Sequence, residues 1–231
     1  MDNRFYFTES NESKVIFSGQ EHVHLTKVRR CKVGDKITGF NGDGYDYQLV
    51  IKDISKDKVY ADIIDKKKNI ASDDIDITVY LALIKNDALT TAIDNLAELN
   101  VKTVKLFKSD FSVVTIDEKK LNKLNQISIQ ASKQCERADI MKIELIDKNQ
   151  IEDDMKKYEN RFFAYENSKE NIKKFSGSFA VIIGPEGGFS SIEAEYFSRF
   201  TNSISISNTI LRAEVACVCA VSALKAVNNV S

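Results

Sequence analysis

One stretch limits what this chain can fold into more than any other. Ser178-Phe179-Ala180-Val181-Ile182-Ile183 is apolar at successive positions, so as a strand it is buried on both faces. It stops at Gly184-Pro185-Glu186-Gly187-Gly188, and Ser190-x-x-Glu193 then has the spacing of a capping box that opens a helix. A doubly buried strand running into a helix is the repeating unit of a mainly parallel sheet with helices packed on it. The pattern recurs from Ile75 onward. Ile75 to Ile84 reads as a strand, and Asp87 is placed to cap a helix carrying Leu89, Ala92, Ile93, Leu96 and Leu99. Val101 to Phe107 is a strand, Asp117 to Arg137 a helix, Arg161 to Tyr165 a strand, Ile204 to Ile206 a short strand, and Arg212 to Val227 a terminal helix.

The first part of the chain reads differently. Lys14 to Phe17 and Tyr45 to Ile51 alternate with the period of half-buried strands, Asn41-Gly42-Asp43-Gly44 is a dense turn signal, and a helix is expected over Gln20 to Arg30. Together these predict a small β-barrel. The polar run from Asp65 through Lys66, Lys67 and Lys68 to Asp73 and Asp74 has no apolar periodicity and reads as a solvated linker. The expected domains are therefore residues 1–72 and 73–231.

Charge narrows the function classes. Lys and Arg number 33 against 34 Asp and Glu, a net charge of −1, so nucleic acid cannot be held by bulk charge and would need a local patch. No apolar run reaches the roughly 20 residues of a membrane span. The start, Met1-Asp2-Asn3-Arg4-Phe5, lacks the basic-then-apolar pattern of a secretory leader. The 4 cysteines are Cys31, Cys135, Cys217 and Cys219, without a CxxC pair, and the only histidines are His22 and His24. The expectation is reduced thiols, no metal site, no membrane and a cytoplasmic location.

Two segments carry the chemistry. Gly184 to Gly188 lies at the carboxyl end of a buried strand, where open α/β sheets bind ligands, and holds the chain's 1 proline beside glycines that let main chain approach a ligand. It has neither a Walker ending nor a GxGxxG pattern, and read alone it also fits a tight connection with no ligand. Ile206-Ser207-Asn208-Thr209-Ile210-Leu211-Arg212-Ala213-Glu214 again runs from strand to helix; read alone, Glu214 is a charge suited to a first helical turn.

Taken together, Gly-Pro-Glu-Gly-Gly-Phe-Ser-x-x-Glu followed by Ile-Leu-Arg-Ala-Glu resembles the RsmE-type 16S ribosomal RNA methyltransferases of the SPOUT superfamily. The resemblance spans essentially the whole chain. Arg4-Phe5-Tyr6, the stretch from His24 through Arg30 to Gly34-Asp35, and Phe40-Asn41-Gly42 resemble the family's N-terminal PUA-like domain. Glu98-Leu99-Asn100-Val101, and Ala131 through Gln134-Cys135 to Arg137, resemble its central motifs. Asn100 stands where a glycine is usual, Ile140 where a proline is common, and Ser207 and Thr209 where Gly and Arg are frequent.

The resemblance implies an α/β protein, with a C-terminal knotted parallel sheet and a PUA-like β-barrel. It implies S-adenosylmethionine as cofactor, held by three loops: Ala164-Tyr165-Glu166, Gly184 to Gly188, and Ile206 to Leu211. The expected contacts are Ala164, Glu166, Ile183, Gly184, Glu186, Gly187, Gly188, Ile206, Ser207, Ile210 and Leu211, with Ile183, Ile206, Ile210 and Leu211 supplying an apolar slot. The implied reaction is methyl transfer to N3 of a uridine in 16S ribosomal RNA of the small ribosomal subunit. Arg212 is the candidate to stabilise negative charge on the base, and Glu214 to orient it or accept a proton. Arg4, Tyr6, Lys27, Arg29 and Arg30 are the candidate RNA contacts. The apolar terminal helix, with Val215, Val218 and Cys219 and with small residues at Ala216, Ala220 and Ala223, suggests a homodimer. Two other readings stay open at this level: an RNA-binding module without activity, and a different nucleotide-using α/β enzyme.

Overall fold

A computed structural model describes residues 4–71 and 75–228. It divides into two compact units, Met1–Ser72 with Ser132–Ile140, and Asp73–Ala131 with Met141–Ser231. The expected break between residues 72 and 73 falls outside the described residues, as do Asp73 and Asp74 of the polar run and the opening Met1-Asp2-Asn3. A single linear cut does not describe the division, because residues 132–140 cluster with the N-terminal unit.

In that unit β1 (Arg4–Tyr6), β2 (Glu9–Ser10), β3 (Lys14–Ser18), β4 (Lys36–Phe40), β5 (Tyr45–Ile54) and β6 (Lys58–Lys68) form one sheet in the order β1-β4-β5-β6-β3-β2. β1 pairs with β4 in parallel and the other ladders are antiparallel. β1 and β3 lie towards opposite ends of this order, yet the rings of Phe5 and Phe17 are 6.2 Å apart. The sheet is therefore strongly curled around one core of Phe5, Phe7, Phe17, Leu49, Ile51 and Val59. Two register shifts in the long β5–β6 ladder, at Gln48/Leu49 and Ile51/Asp53, supply part of the bend.

The helix expected over Gln20 to Arg30 is two pieces, α1 (Gly19–Val23) and a π-helical turn at His24–Val28, closed by the Arg29 amide donating to the His24 carbonyl at 2.9 Å. The run Asp65 to Lys68 is not a linker but the end of β6, paired with β5. The Lys66 ammonium lies 4.2 Å from the Tyr45 ring centre, 4.8 Å from that of Tyr47, and 3.0 Å from Asp43 Oδ2. Aromatic faces and a carboxylate hold this lysine in the sheet, and hydrogen bonds to Tyr47 and Asp43 push its pKa up to about 12.

Segment 132–140 is stitched to the curled sheet by polar contacts. The buried Arg4 pairs with Asp46 and donates from Nη2 to the Arg137 carbonyl at 2.9 Å. Asn69 Nδ2 donates to the Glu136 carbonyl at 2.9 Å, and Lys133 Nζ meets Glu21 Oε1 at 2.7 Å.

In the second unit β7 (Ile77–Ala82), β8 (Thr103–Phe107), β9 (Lys142–Leu145), β10 (Asn160–Ala164), β11 (Phe179–Ile183) and β12 (Asn202–Ile204) form a sheet in the order β12-β10-β11-β7-β8-β9, with every ladder parallel. Its helices are α2 (Asn86–Glu98), α3 (Glu118–Gln134, its last turn in the other unit), α4 (Ile151–Met155), α5 (Ser191–Ser198) and α6 (Ala213–Val227). Alternation along β7 shows why both faces are covered. Ile77, Val79 and Leu81 pack with Leu89 and Ile93 of α2 and Cys217 and Val221 of α6. Tyr80 and Ala82 pack with Met155 of α4 and Phe197 of α5 on the other side. A fully buried Val, Leu, Ile, Phe or Met side chain contributes about 1.5–3 kcal/mol.

Asp87 does not cap α2: Lys85 is the N-cap, without a side-chain bond, and Asp87 sits in the first turn, where a negative charge suits the helix dipole. At the other end Asn100 adopts φ +64°, its amide donating to the Ala97 carbonyl while that of Val101 donates to Leu96. This is a left-handed helix stop, a conformation that Gly adopts freely and Asn tolerates.

Candidate functional site

A parallel sheet sends all its strand ends in one direction, so the loops after β7, β8, β10, β11 and β12 gather at one edge. Three of them enclose a pocket of about 220 Å³. The loop after β10 contributes Ala164, Tyr165 and Glu166; the end of β11 and its loop contribute Ile183, Gly184, Pro185, Glu186, Gly187, Gly188 and Phe189. The segment after β12 contributes Ile206, Ser207, Thr209, Ile210 and Leu211, joined by Ala213 and Ala216 of α6.

The loop after β11 is shaped by its glycines. The Gly188 amide donates to the Pro185 carbonyl at 2.9 Å and closes a tight turn. Gly188 has φ +70°, and a methyl group placed on it would lie 2.9 Å from Glu166 Oε1. One placed on Gly184 would lie 2.7 Å from the Phe189 ring. At Gly184 the Phe189 ring takes the space a side chain would need, and at Gly188 the positive φ disfavours one. Glu186 Oε1 accepts the Lys85 amide proton at 3.0 Å and ties this loop to the one after β7. In the third loop Ser207 and Thr209 bond each other, Oγ to Oγ1 at 2.9 Å, while the Thr209 amide donates to Ser207 Oγ at 3.0 Å. These two residues therefore form a self-contained turn in the pocket wall.

Behind the pocket lies a polar cluster. Ser190 and Glu193 form the expected capping box, the Ser190 amide donating to Glu193 Oε2 at 3.1 Å and the Glu193 amide to Ser190 Oγ at 3.2 Å. Glu193 is only 2% exposed. It also accepts from Ser109 Oγ at 3.1 Å, the Asp110 amide at 2.9 Å and Lys148 Nζ at 2.9 Å. Lys148 reaches Asp110 Oδ1 at 2.5 Å, and Ser190 Oγ donates to Asp110 Oδ2 at 2.6 Å. Burial works against the Lys148 charge, but its bonds to Asp110 and Glu193 outweigh this and raise its pKa. Lys148 and Ser190 in turn hold the Asp110 carboxyl below the usual carboxylate range.

All eleven expected cofactor contacts line the pocket. Tyr165, Pro185 and Thr209 lie inside the three loops named from the sequence, and sequence reasoning missed Phe189, Ala213 and Ala216. Ile210 lines the pocket and is 93% exposed. Arg212 is the exposed N-cap of α6, between two pocket-lining residues, but is not itself in the wall. Glu214 forms no ion pair with Arg212 among the described residues; it lies near Cys217, whose thiol pKa is raised first by burial and then by that carboxylate.

Among the expected RNA contacts, Arg4 is a correction. It is buried, paired with Asp46 and stacked over Phe40 at 4.6 Å, so its guanidinium serves the fold. Tyr6 is half-buried, its ring 5.6 Å from Phe40. Lys27 and Arg30 are exposed and Arg29 is partly so.

A parallel α/β sheet with a loop-built pocket at its carboxyl edge, accompanied by a curled β unit, defines a class, and the sequence places the chain within it. This protein belongs to the RNA methyltransferase family, whose RNA methyltransferase domain matches residues 71–225 and whose RNA methyltransferase PUA domain matches residues 18–64. It is 32% identical to the ribosomal RNA small subunit methyltransferase E of Rickettsia conorii, over 96% of this chain and 95% of that protein. It is 28% identical to the protein of the same name from Bacillus subtilis, over 95% and 94%. The fold matches that of ribosomal RNA small subunit methyltransferase E from Neisseria gonorrhoeae bound to S-adenosyl methionine, with a TM-score of 0.90 at 22% identity, covering 99% of this chain and 98% of that one.

Proposed function

We propose that this protein methylates N3 of a uridine in 16S ribosomal RNA of the small ribosomal subunit, with S-adenosylmethionine as donor. The observation that carries this reading is the convergence of the three motif-bearing loops on one pocket in a chain aligned over nearly its whole length with small-subunit methyltransferases.

The pocket residues suit that cofactor. Ile183, Ile206 and Leu211 offer apolar wall to an adenine, while Gly184 and Gly188 keep main chain close to whatever fills the turn. Bound there, the cofactor supplies a methyl group on an electrophilic sulfonium. The chain's own residues must act on the acceptor. Uridine N3 carries a proton, so attack requires its loss and leaves negative charge on the base. Arg212 is the residue we assign to that charge, because guanidinium presents paired planar donors and its exposed place at the α6 start borders the pocket. Glu214 is assigned to the proton, acting without an ion pair to Arg212.

The N-terminal unit is assigned to RNA holding, through the exposed Lys27 and Arg30 with Arg29. We further assign a trefoil-knotted threading of the C-terminal strands, a cytoplasmic location, and a homodimer formed through α6. No helix of the described residues is long and apolar enough to cross a membrane. The dimer rests on the outer side of α6, where Val215 is 41% exposed; Ala220, expected at that seam, is instead buried within its own unit.

Two measurements test the reading. Calorimetry should show S-adenosylmethionine binding to the purified protein. Mass spectrometry of nucleosides from 16S ribosomal RNA should show 3-methyluridine only in cells that carry the protein. Absence of either overturns the assignment, and a monomeric mass by light scattering overturns the dimer.

A further inference from the structure

The loop after β8 is fixed more firmly than its exposure requires. The Ser112 amide donates to the Ser109 carbonyl at 3.0 Å, and the Ser109 amide to Ser112 Oγ at 3.1 Å, closing a turn. From outside the turn, Glu193 and Lys148 hold Ser109 and Asp110. The apolar side chain this turn leaves in the open is Phe111, 50% exposed. It abuts the cofactor loop: a methyl group placed on Gly187 would lie 3.3 Å from Phe111 Cβ. Two exposed lysines, Lys85 and Lys108, follow β7 and β8 on the same edge of the sheet.

We propose that Phe111 is a stacking platform for a base of the RNA substrate beside the methyl-donor pocket. The inference rests on the proposed methyltransferase reading and adds a substrate contact to it. Half-exposing a phenyl ring on a rigid turn is unfavourable in water and useful when a flat π-face covers it. Unpaired bases are such faces, and each base stacked on an aromatic residue contributes about 1–3 kcal/mol. The pinned turn means that little side-chain or backbone freedom is lost on stacking. Lysines nearby suit the phosphates that accompany the base.

The chain has no tryptophan, so Phe111→Trp creates a single emitter at the proposed contact. With S-adenosylmethionine present, its emission should be quenched by a single-stranded oligouridylate and by purified small ribosomal subunits. Phe111→Ala should weaken oligouridylate binding about tenfold, as loss of one stacked base predicts. Phe111→Leu should behave like alanine, Phe111→Trp should retain affinity, and S-adenosylmethionine affinity should stay unchanged in all three. Because these are binding measurements, they stand whether or not methyl transfer is observed. The proposal is overturned if the tryptophan ignores RNA or if leucine serves as well as phenylalanine. It also fails if alanine weakens cofactor binding instead, or shifts the protein's mass in light scattering, which would make Phe111 a packing or self-association residue.

Discussion

Two consecutive stretches of the same motif are built in opposite ways. Gly184 to Gly188 lines the pocket with three glycines, a turn with one backbone bond and one tie to Lys85. Ser190 to Glu193 contributes nothing to the pocket wall, and its buried carboxylate accepts from Ser109, Asp110, Lys148 and Ser190. The difference separates binding from holding. A glycine-rich turn is held in one conformation by what adjoins it, and the capping box with its added partners supplies that support.

Breaking the holding half should have the largest effect. Glu193→Ala leaves a partly exposed lysine and two backbone donors without this acceptor, and each buried donor so orphaned typically costs about 1–3 kcal/mol. The urea midpoint should fall accordingly, and an unchanged midpoint would mean that the cluster holds nothing. Arg212→Ala should come next, with methyl transfer about 100-fold slower or worse and cofactor affinity intact, since removing one preorganised donor to developing charge has that size. Turnover near wild type would return Arg212 to an ordinary helix-start charge. Gly188→Val probes the binding half: a β-branched residue at φ +70° costs about 1–2 kcal/mol in backbone strain and meets Glu166. Here calorimetric affinity should drop more than stability does; the reverse order would erase the division between the two halves.

The smallest effect is one of pH. The Asp110 carboxyl is held below its usual range by Lys148 and Ser190. A depressed carboxylate adds stability above its unfolded pKa of about 3.9, and that stability is lost as pH falls through the folded value. Asp110→Asn should therefore flatten the acid limb of the stability curve, most visibly below about pH 4. An unaltered limb would remove Asp110 from the holding cluster.

Several local features are legible in the sequence, although the break at His24 in the first helix and the N-cap at Lys85 are not. The β11 strand, the capping box and the pocket loops are each one continuous segment, and apolar patterning, glycine and Ser-x-x-Glu spacing report on them directly. Other illegible features depend on distant partners. Nothing in the sequence around Lys148 or Asp110 says that they meet Glu193, and Arg4 looks like a free cation until Asp46 and the Arg137 carbonyl are brought to it. The lysine run at the end of β6 reads as solvated linker because its aromatic partner Tyr45 lies across a ladder. Asn100 is intermediate: its place in the motif marks a glycine site, but only its φ of +64° explains why.

The contribution of residues 132–140 to the N-terminal unit bears on the order in which the chain can mature as it is made. A nascent chain that has emerged only as far as β6 has the whole curled sheet in hand, but Arg4 still lacks the Arg137 carbonyl and Asn69 the carbonyl of Glu136. Vectorial synthesis therefore leaves the first unit unfinished until much of the second has followed it out. Chains arrested before Ser132 should leave β1 open to hydrogen exchange, and chains arrested well past Ile140 should protect it. For this protein, the unit that leaves the ribosome first is complete only after part of the second has followed it.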